Sequence, residues 1–160
     1  MFRIFRLFAA TLLALGLAAP GQAQFRNVID HDRSQCSGDG PAVWLHVTNI
    51  ASSTGMMRVQ LYRATKSDWL EKGRWLNRIE IPARAGAMSI CMPVPSAGSY
   101  AIAIRHDKNN NNDTDITIDG GGMSNNPSIN IFNLGRPKID KTRFSIGNEV
   151  KPMSIRMRYF

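Results

Sequence analysis

The chain has 160 residues, 43% of them hydrophobic, with 20 Lys+Arg against 12 Asp+Glu and a formal net charge of +8. That length suits one domain with its own core. The basic residues are scattered, with no Lys/Arg run longer than two, which argues against a dedicated nucleic-acid surface. The excess of positive charge is compatible with solubility alone or with anionic partners such as acidic glycans or lipid headgroups.

Arg3 and Arg6 precede the apolar run Leu7 to Ala19, and Pro20 and Gly21-Gln22-Ala23 follow it. Residues 1–23 therefore read as a signal peptide, and the protein is expected to be exported, periplasmic or secreted, beginning near Gln24 or Phe25. The apolar run is shorter than the roughly 20 residues of a membrane helix, and no later stretch approaches it, so no membrane span is expected. Residues 24–41 carry Asp30, His31, Asp32, Ser34, Gly38 and Gly40 without any period and read as an extended lead-in. Cys36 and Cys91 are the only cysteines, and export predicts that they are bridged. Such a bridge closes a loop of about 55 residues and is worth roughly 4 kcal/mol in the chain-entropy model. A zinc site is disfavoured, because His31, His46 and His106 stand at no ligand spacing from either cysteine.

Residues 42–160 read as one β-sandwich domain. Val43, Leu45 and Val47 alternate with Trp44, His46 and Thr48, and Met57, Val59 and Leu61 alternate with Arg58, Gln60 and Tyr62. That is the period of strands, and the turn signal Ser52 to Gly55 between them predicts a hairpin. Ser67 could cap a short helical turn over Thr65 to Gly73, with Trp69 and Leu70 on the sandwich edge. Strands follow over Trp75 to Pro82, Met88 to Val94 and Ser99 to Ile104. In the last of these, Tyr100, Ile102 and Ile104 face one way, and small Ala101 and Ala103 leave room for another element on the other face. Thr142 to Ile146 and Met153 to Tyr159 complete about seven strands, with one short helical turn. The expectation is all-β, a single immunoglobulin-like or transthyretin-like sandwich. In the last strand, Arg156 and Arg158 share the face of Phe160 while Ile155, Met157 and Tyr159 lie opposite, which is the wrong pattern for a lipid-facing barrel strand.

Between the strand ending at Arg105 and Pro127 lies RHDKNNNNDTDITIDGGGMSNNP, which holds four of the 12 acidic residues. A long polar loop on a rigid scaffold is where function concentrates. Asp107, Asn109, Asn111 and Asp115 occupy positions 1, 3, 5 and 9 of a calcium-loop template, an array of oxygen donors at odd spacing that can wrap a hard cation. The match is partial: Asn112 stands where Gly is usual and Ile118 where a bidentate Glu is usual, so Asp113, Asp119 or water would have to substitute. The alternative is a loop of Asx-turns, in which Asn and Asp bond their own backbone and bind nothing. His106 beside Asp107 suggests a general base, but neighbours on a strand point to opposite faces, and a structural or metal-positioning role fits better. Ser124 offers a hydroxyl nearby without a nucleophile-elbow motif, and Asp107 with Asp119 could form a paired-carboxylate hydrolase. Gly120-Gly121-Gly122 resembles a phosphate cradle, but no helix is expected after it, and it reads instead as letting the loop fold close over its own Asn side chains.

These residues together resemble a known family. The run Pro95-x-x-Gly98-x-Tyr100-Ala-Ile-Ala-Ile-Arg-His106-Asp107-x-Asn109-x-Asn111 with Asp115, then Asp119-Gly-Gly-Gly-Met-Ser124-Asn125-Asn126-Pro and a closing strand, resembles the exported bacterial domain of unknown function 2141. The resemblance covers about residues 42 to 160. It implies a β-sandwich and marks His106, Asp107, Ser124, Asn125 and Asn126, and it implies no activity. This chain has Asn110 and Asn112 where the family has Gly, and Asp119 to Met123 replaces a longer Gly-Pro-Glu passage, which bears against ligation by Glu. The expected function is a non-catalytic binding module with a calcium-ordered loop, its partner an anionic glycan or an envelope protein. A structural role in the cell envelope and a carboxylate-based hydrolase are the alternatives. Phe25, Trp69 and Trp75 could supply an aromatic contact patch.

Overall fold

Alternation of apolar and polar side chains sorts the chain into two sheets that share one core. The computed structural model describes residues 25–38 and 40–160, so the signal peptide expected over residues 1–23 lies outside the described residues. Nine strands run in order among them: β1 (Asn27–Val28), β2 (Ala42–Ile50), β3 (Met56–Arg63), β4 (Trp75–Pro82), β5 (Gly86–Pro93), β6 (Gly98–Asp107), β7 (Gly120–Met123), β8 (Phe144–Ile146) and β9 (Val150–Arg156). The larger sheet has the order β1-β4-β3-β6-β7, with β8 paired to the start of β6, and the smaller sheet is β5-β2-β9. Pairing is antiparallel except for β1 with β4 and β2 with β9.

The facing surfaces close on each other as the alternation predicts. Val43, Leu45 and Val47 of β2, Met57, Val59 and Leu61 of β3, and Ile102 and Ile104 of β6 meet Ile90, Met92, Ile155 and Met157 in one core. Burying a side chain of this size is worth roughly 1.5–3 kcal/mol, so this layer dominates the stability of the fold. Arg156 and Arg158 stay exposed while Ile155 and Met157 are fully buried, which gives the last strand its arginine-bearing outer face. No described helix is long and apolar enough to cross a membrane.

Two local expectations are corrected. β2 and β3 do not form a hairpin, because each lies inside a different sheet with both its edges paired. Asn49 at φ 62° and Gly55 at φ 74°, with a bulge between Thr48 and Ile50, carry the chain from one sheet to the other. A local pairing was outcompeted by non-local pairings that bury both strands. The helical turn over Thr65 to Gly73 reduces to one α-turn, Trp69 N–H to the Thr65 carbonyl at 3.1 Å, which Leu70 ends at φ 57°. Ser67 bonds the Thr65 hydroxyl and caps nothing. Short 3-10 turns form instead at Arg33–Cys36, Ile131–Asn133 and Ile139–Lys141.

Nine strands replace the expected seven because β1 and β7 carry no apolar alternation. The lead-in is therefore tied by more than its cysteine: β1 pairs with β4, and Asn27 donates to Asn77 at 3.1 Å. Cys36 and Cys91 are bridged, with Cα atoms 5.8 Å apart, on the outer side of the smaller sheet. Beyond the larger sheet, Ala101 and Ala103 let a second apolar layer approach, built from Tyr62, Trp69, Trp75, Met123, Ile129 and Ile139. Trp69 meets Tyr62 edge-on at 5.5 Å and donates its indole N–H to the Pro137 carbonyl at 2.8 Å, which pins the 129–141 segment over that face.

Candidate functional site

The predicted polar loop springs from the end of β6, and its base is buried rather than solvated. His106 is 0% exposed and Asp107 is 2% exposed, and Asp119, at the far end of the loop, is 4% exposed. They project to opposite faces as a strand requires. His106 turns into the sandwich, where its Nε2 lies 2.8 Å from the Thr54 carbonyl and its Nδ1 2.8 Å from the Tyr159 hydroxyl. A carbonyl can only accept, so in the neutral ring the proton sits on Nε2 and Nδ1 accepts from Tyr159, whose oxygen in turn accepts from the Ala51 N–H at 3.0 Å. Both ring nitrogens are thus committed to the scaffold.

Asp107 points the other way, toward Arg105 on the same face of β6. Its Oδ2 accepts from the Asn112 N–H at 3.0 Å and from Arg105 Nη2 at 3.4 Å, while its buried Oδ1 has no donor among the described residues. Asp119 binds the loop to itself, accepting from Lys108 N–H and Asp115 N–H, both at 3.1 Å. At the outer tip, Asn109 and Asn111 both donate amide hydrogens to Asp115 Oδ2, at 2.9 and 2.7 Å. Those two amides hold the Asp115 carboxyl below its ordinary pKa. Asn109 and Asn111 also accept from the backbone two residues on, which makes two Asx-turns. The four template residues and Asp119 therefore form two groups: Asn109, Asn111 and Asp115 converge at the tip, and Asp107 and Asp119 brace the base. Among the described residues no three His, Cys, Asp or Glu side chains gather at metal-ligand spacing.

Ser124, Asn125 and Asn126 clamp elements together. Ser124 is fully buried, accepts from the Ile102 N–H and donates to the Thr142 carbonyl. Asn125 donates to the Arg143 carbonyl at 2.8 Å. Asn126 pairs with β9 as a strand would, donating to Ser154 O and accepting from Arg156 N–H. The triple glycine is itself a strand. Gly120 to Met123 is β7, and a side chain at Gly120 would overlap the Tyr159 ring, while one at Gly122 would press on Ile155 and Met157. Glycine in a strand marks such close approach. The aromatic patch also dissolves: Trp69 and Trp75 are buried, and Phe25 lies under the guanidinium groups of Arg63 and Arg74.

One group of residues escaped the sequence reading. Arg58, Arg78 and Arg105 come from β3, β4 and β6, with Arg58 directly opposite Arg105 and Arg78 opposite Gln60. They line a cleft of about 480 Å³ on the outer face of the larger sheet, walled by Thr114 and Asp115 of the loop and by Leu134 and Arg136 of the covering segment. The signal was present as arginines on the non-core positions of three strands, but only the strand order brings them together.

Residues 45–154 match the family described as "Uncharacterized protein conserved in bacteria (DUF2141)", and the chain belongs to it. No curated protein and no solved structure matches the chain.

Proposed function

We propose that this family member is an exported, non-catalytic binding module, an immunoglobulin- or transthyretin-like sandwich whose Asp/Asn loop is ordered by a calcium ion. The observation that carries the cation is the convergence of Asn109 and Asn111 on one oxygen of Asp115, three oxygen-bearing side chains gathered at the loop tip. Such an oxygen-rich cluster suits a hard cation. At the base, Asp107 Oδ1 is a further buried carboxylate oxygen with no donor among the described residues. Turning the Asn109 and Asn111 amides would present carbonyl oxygens to a shared ion, at the cost of the two Asx-turns. With amide oxygens standing in for carboxylates and Ile118 at the usual Glu position, affinity should be weak, on the order of 10⁻⁴–10⁻³ M.

The non-catalytic half of the proposal rests on commitments already made. His106 has both nitrogens engaged, and the Ser124 hydroxyl is buried between two backbone groups. Asp107 and Asp119 accept backbone N–H groups and so brace the loop. A general base needs a free lone pair facing a substrate. Export is supported by the disulfide, which persists in oxidising compartments.

Calorimetric titration of chelated protein with calcium, paired with thermal melts, is the test. A hundredfold excess of calcium over Kd should stabilise by about 2.7 kcal/mol. Asp115→Ala should abolish that shift and barely change the metal-free melt, since Asp115 sits at the loop tip. Asp107→Ala is the poorer probe, because Asp107 braces Asn112 and Arg105 and its loss destabilises by itself. Asp32→Ala, in the lead-in, should keep the shift. A melt and a loop proteolysis rate that millimolar calcium leaves unmoved would reject the calcium reading and leave the Asx-turn loop.

A further inference from the structure

We propose that the arginine-floored cleft on the outer face of the larger sheet binds an amphiphilic organic anion, with a carboxylate, phosphate or sulfonate head and an apolar body. The inference does not depend on the calcium reading, although Asp115 and Asp119 of the loop also line the cleft.

Three guanidinium groups share one small surface. Arg58, Arg78 and Arg105 have side chains only 14%, 22% and 15% exposed. Like charges directly across a strand pair repel, and Arg58 faces Arg105 in register. Acids also stand close by, with Glu71, Asp115 and Asp119 in the cleft lining, but the direct ion pairs are few. Glu80 contacts Arg58 closely and Arg78 only at 3.7 Å, and Asp107 reaches Arg105 at 3.4 Å. Two of the donors find no acceptor among the described residues: Nε of Arg78 and Nε of Arg105 are both buried and unpartnered. Burial, and then the charge of Arg58, lower the pKa of both residues. Three crowded, half-desolvated cations are an arrangement that an oxyanion in the cleft relieves through their outer N–H groups, since guanidinium matches carboxylate and phosphate oxygens in geometry and charge.

Part of the remaining lining is apolar, beside the charged rim of Glu71, Lys72, Asp115, Asp119 and Arg136. Tyr62, Ile116, Met123, Ile129, Leu134 and Phe160 line the cleft beside the arginines. Leu134 and Phe160 are 66% and 47% exposed, so an apolar ligand body has uncovered surface to bury. A volume of about 480 Å³ falls within the usual range of small-molecule sites. Charge on the floor with apolar surface on the walls selects a ligand having both, and a bare inorganic ion would leave the walls in water.

The test uses the whole exported chain with calcium chelated, so that it stands apart from the loop reading. The probe is 8-anilinonaphthalene-1-sulfonate, whose fluorescence reports transfer to an apolar site, with dodecyl phosphate, dodecanol and inorganic phosphate as competitors. Dodecyl phosphate should displace the probe, and dodecanol or inorganic phosphate should do so at least about tenfold less well. Arg78→Met keeps an apolar stem but removes the guanidinium that lies over the Trp75 ring at 4.1 Å, so its melt is recorded alongside, and it should weaken the probe about tenfold or more. Arg84→Gln removes the same charge from an exposed turn and should leave binding unchanged. Unchanged affinity in folded Arg78→Met, or equal loss in both variants, would overturn the site. So would co-sedimentation with phosphatidylglycerol vesicles that dodecyl phosphate does not compete, which would make the face a membrane contact.

Discussion

The decisive perturbation for the loop's histidine is Tyr159→Phe, which deletes one oxygen and preserves the ring. Tyr159 donates to His106 Nδ1 at 2.8 Å and accepts from Ala51 N–H at 3.0 Å. Burial holds its phenol above the ordinary pKa, with the Ala51 bond partly opposing, so it remains a donor through the neutral range. The edge-on contact of the two rings, 5.8 Å between centroids, survives in Phe. What is lost is the donor to a nitrogen on a side chain with 0% exposure. Leaving a buried acceptor unmet costs about 1–3 kcal/mol, and Ala51, near the surface, can turn its N–H to water. At roughly 3 °C per kcal/mol for a domain of this size, the melting temperature should fall by roughly 3–9 °C. Urea unfolding should show a lower midpoint with an unchanged slope. A double cycle with His106→Leu should return a coupling of about 1 kcal/mol or more between the two positions. A Tyr159→Phe protein within about 0.5 kcal/mol of the parent would refute the tautomer argument and return His106 to the pool of candidate bases.

Two further predictions concern the lead-in. Cys91→Ser or reduction should cost about 2–4 kcal/mol, because the bridge spans 55 residues; a thiol assay of unfolded, unreduced protein that found two thiols would contradict it. His31 Nε2 accepts the Cys91 N–H at 3.2 Å, a bond available only while that nitrogen is unprotonated. Burial first, then Arg33, lower the His31 pKa, against a smaller opposing effect of Asp32. The unfolded chain therefore binds this proton more readily, so the His31 contribution is complete above about pH 6.5 and is lost as pH falls through the folded value. His31→Gln should flatten that limb of a melt-versus-pH curve, and an unaltered limb would assign the dependence elsewhere.

What was legible in the sequence were the faces, and what was not were the partners. Val43, Leu45 and Val47, or Tyr100, Ile102 and Ile104, declare their inner face by alternation alone, because a strand has only two faces to choose between. Which strand lies beside which is decided by burial across the whole sandwich, so β2 and β3 could read as a hairpin and end in different sheets. β7 was invisible because glycine contributes no pattern; its place is set by the Tyr159 ring and by Ile155 and Met157, residues more than 30 positions later. Asp107 looks like a solvated loop residue until Arg105 and Asn112 are seen to receive its carboxylate. The arginine cleft was hidden for the same reason, since Arg58, Arg78 and Arg105 are neighbours only through sheet order.

The two proposed sites share their framework, and that constrains how either can respond. Arg105 donates to Thr114 and to the Asn112 carbonyl, and Arg58 donates to the Asn112 side chain, so the cleft floor is also the brace of the loop. Gly55 packs so closely on the Asp107 carbonyl that a side chain there would overlap it, and its φ of 74° disfavours any other residue. His106 ties the same point to Tyr159 at the far end of the chain. The base of the loop is therefore fixed from both sheets, and Asn112 and Thr114 tie its outer part to Arg58 and Arg105. A cation at the tip would tighten Asp115, which walls the cleft, while an anion in the cleft would draw Arg58 and Arg105 off Asn112. The first should sharpen the cleft and the second should loosen the loop, so calcium and an amphiphilic anion need not bind independently. Linkage requires any such coupling to be equal in both directions.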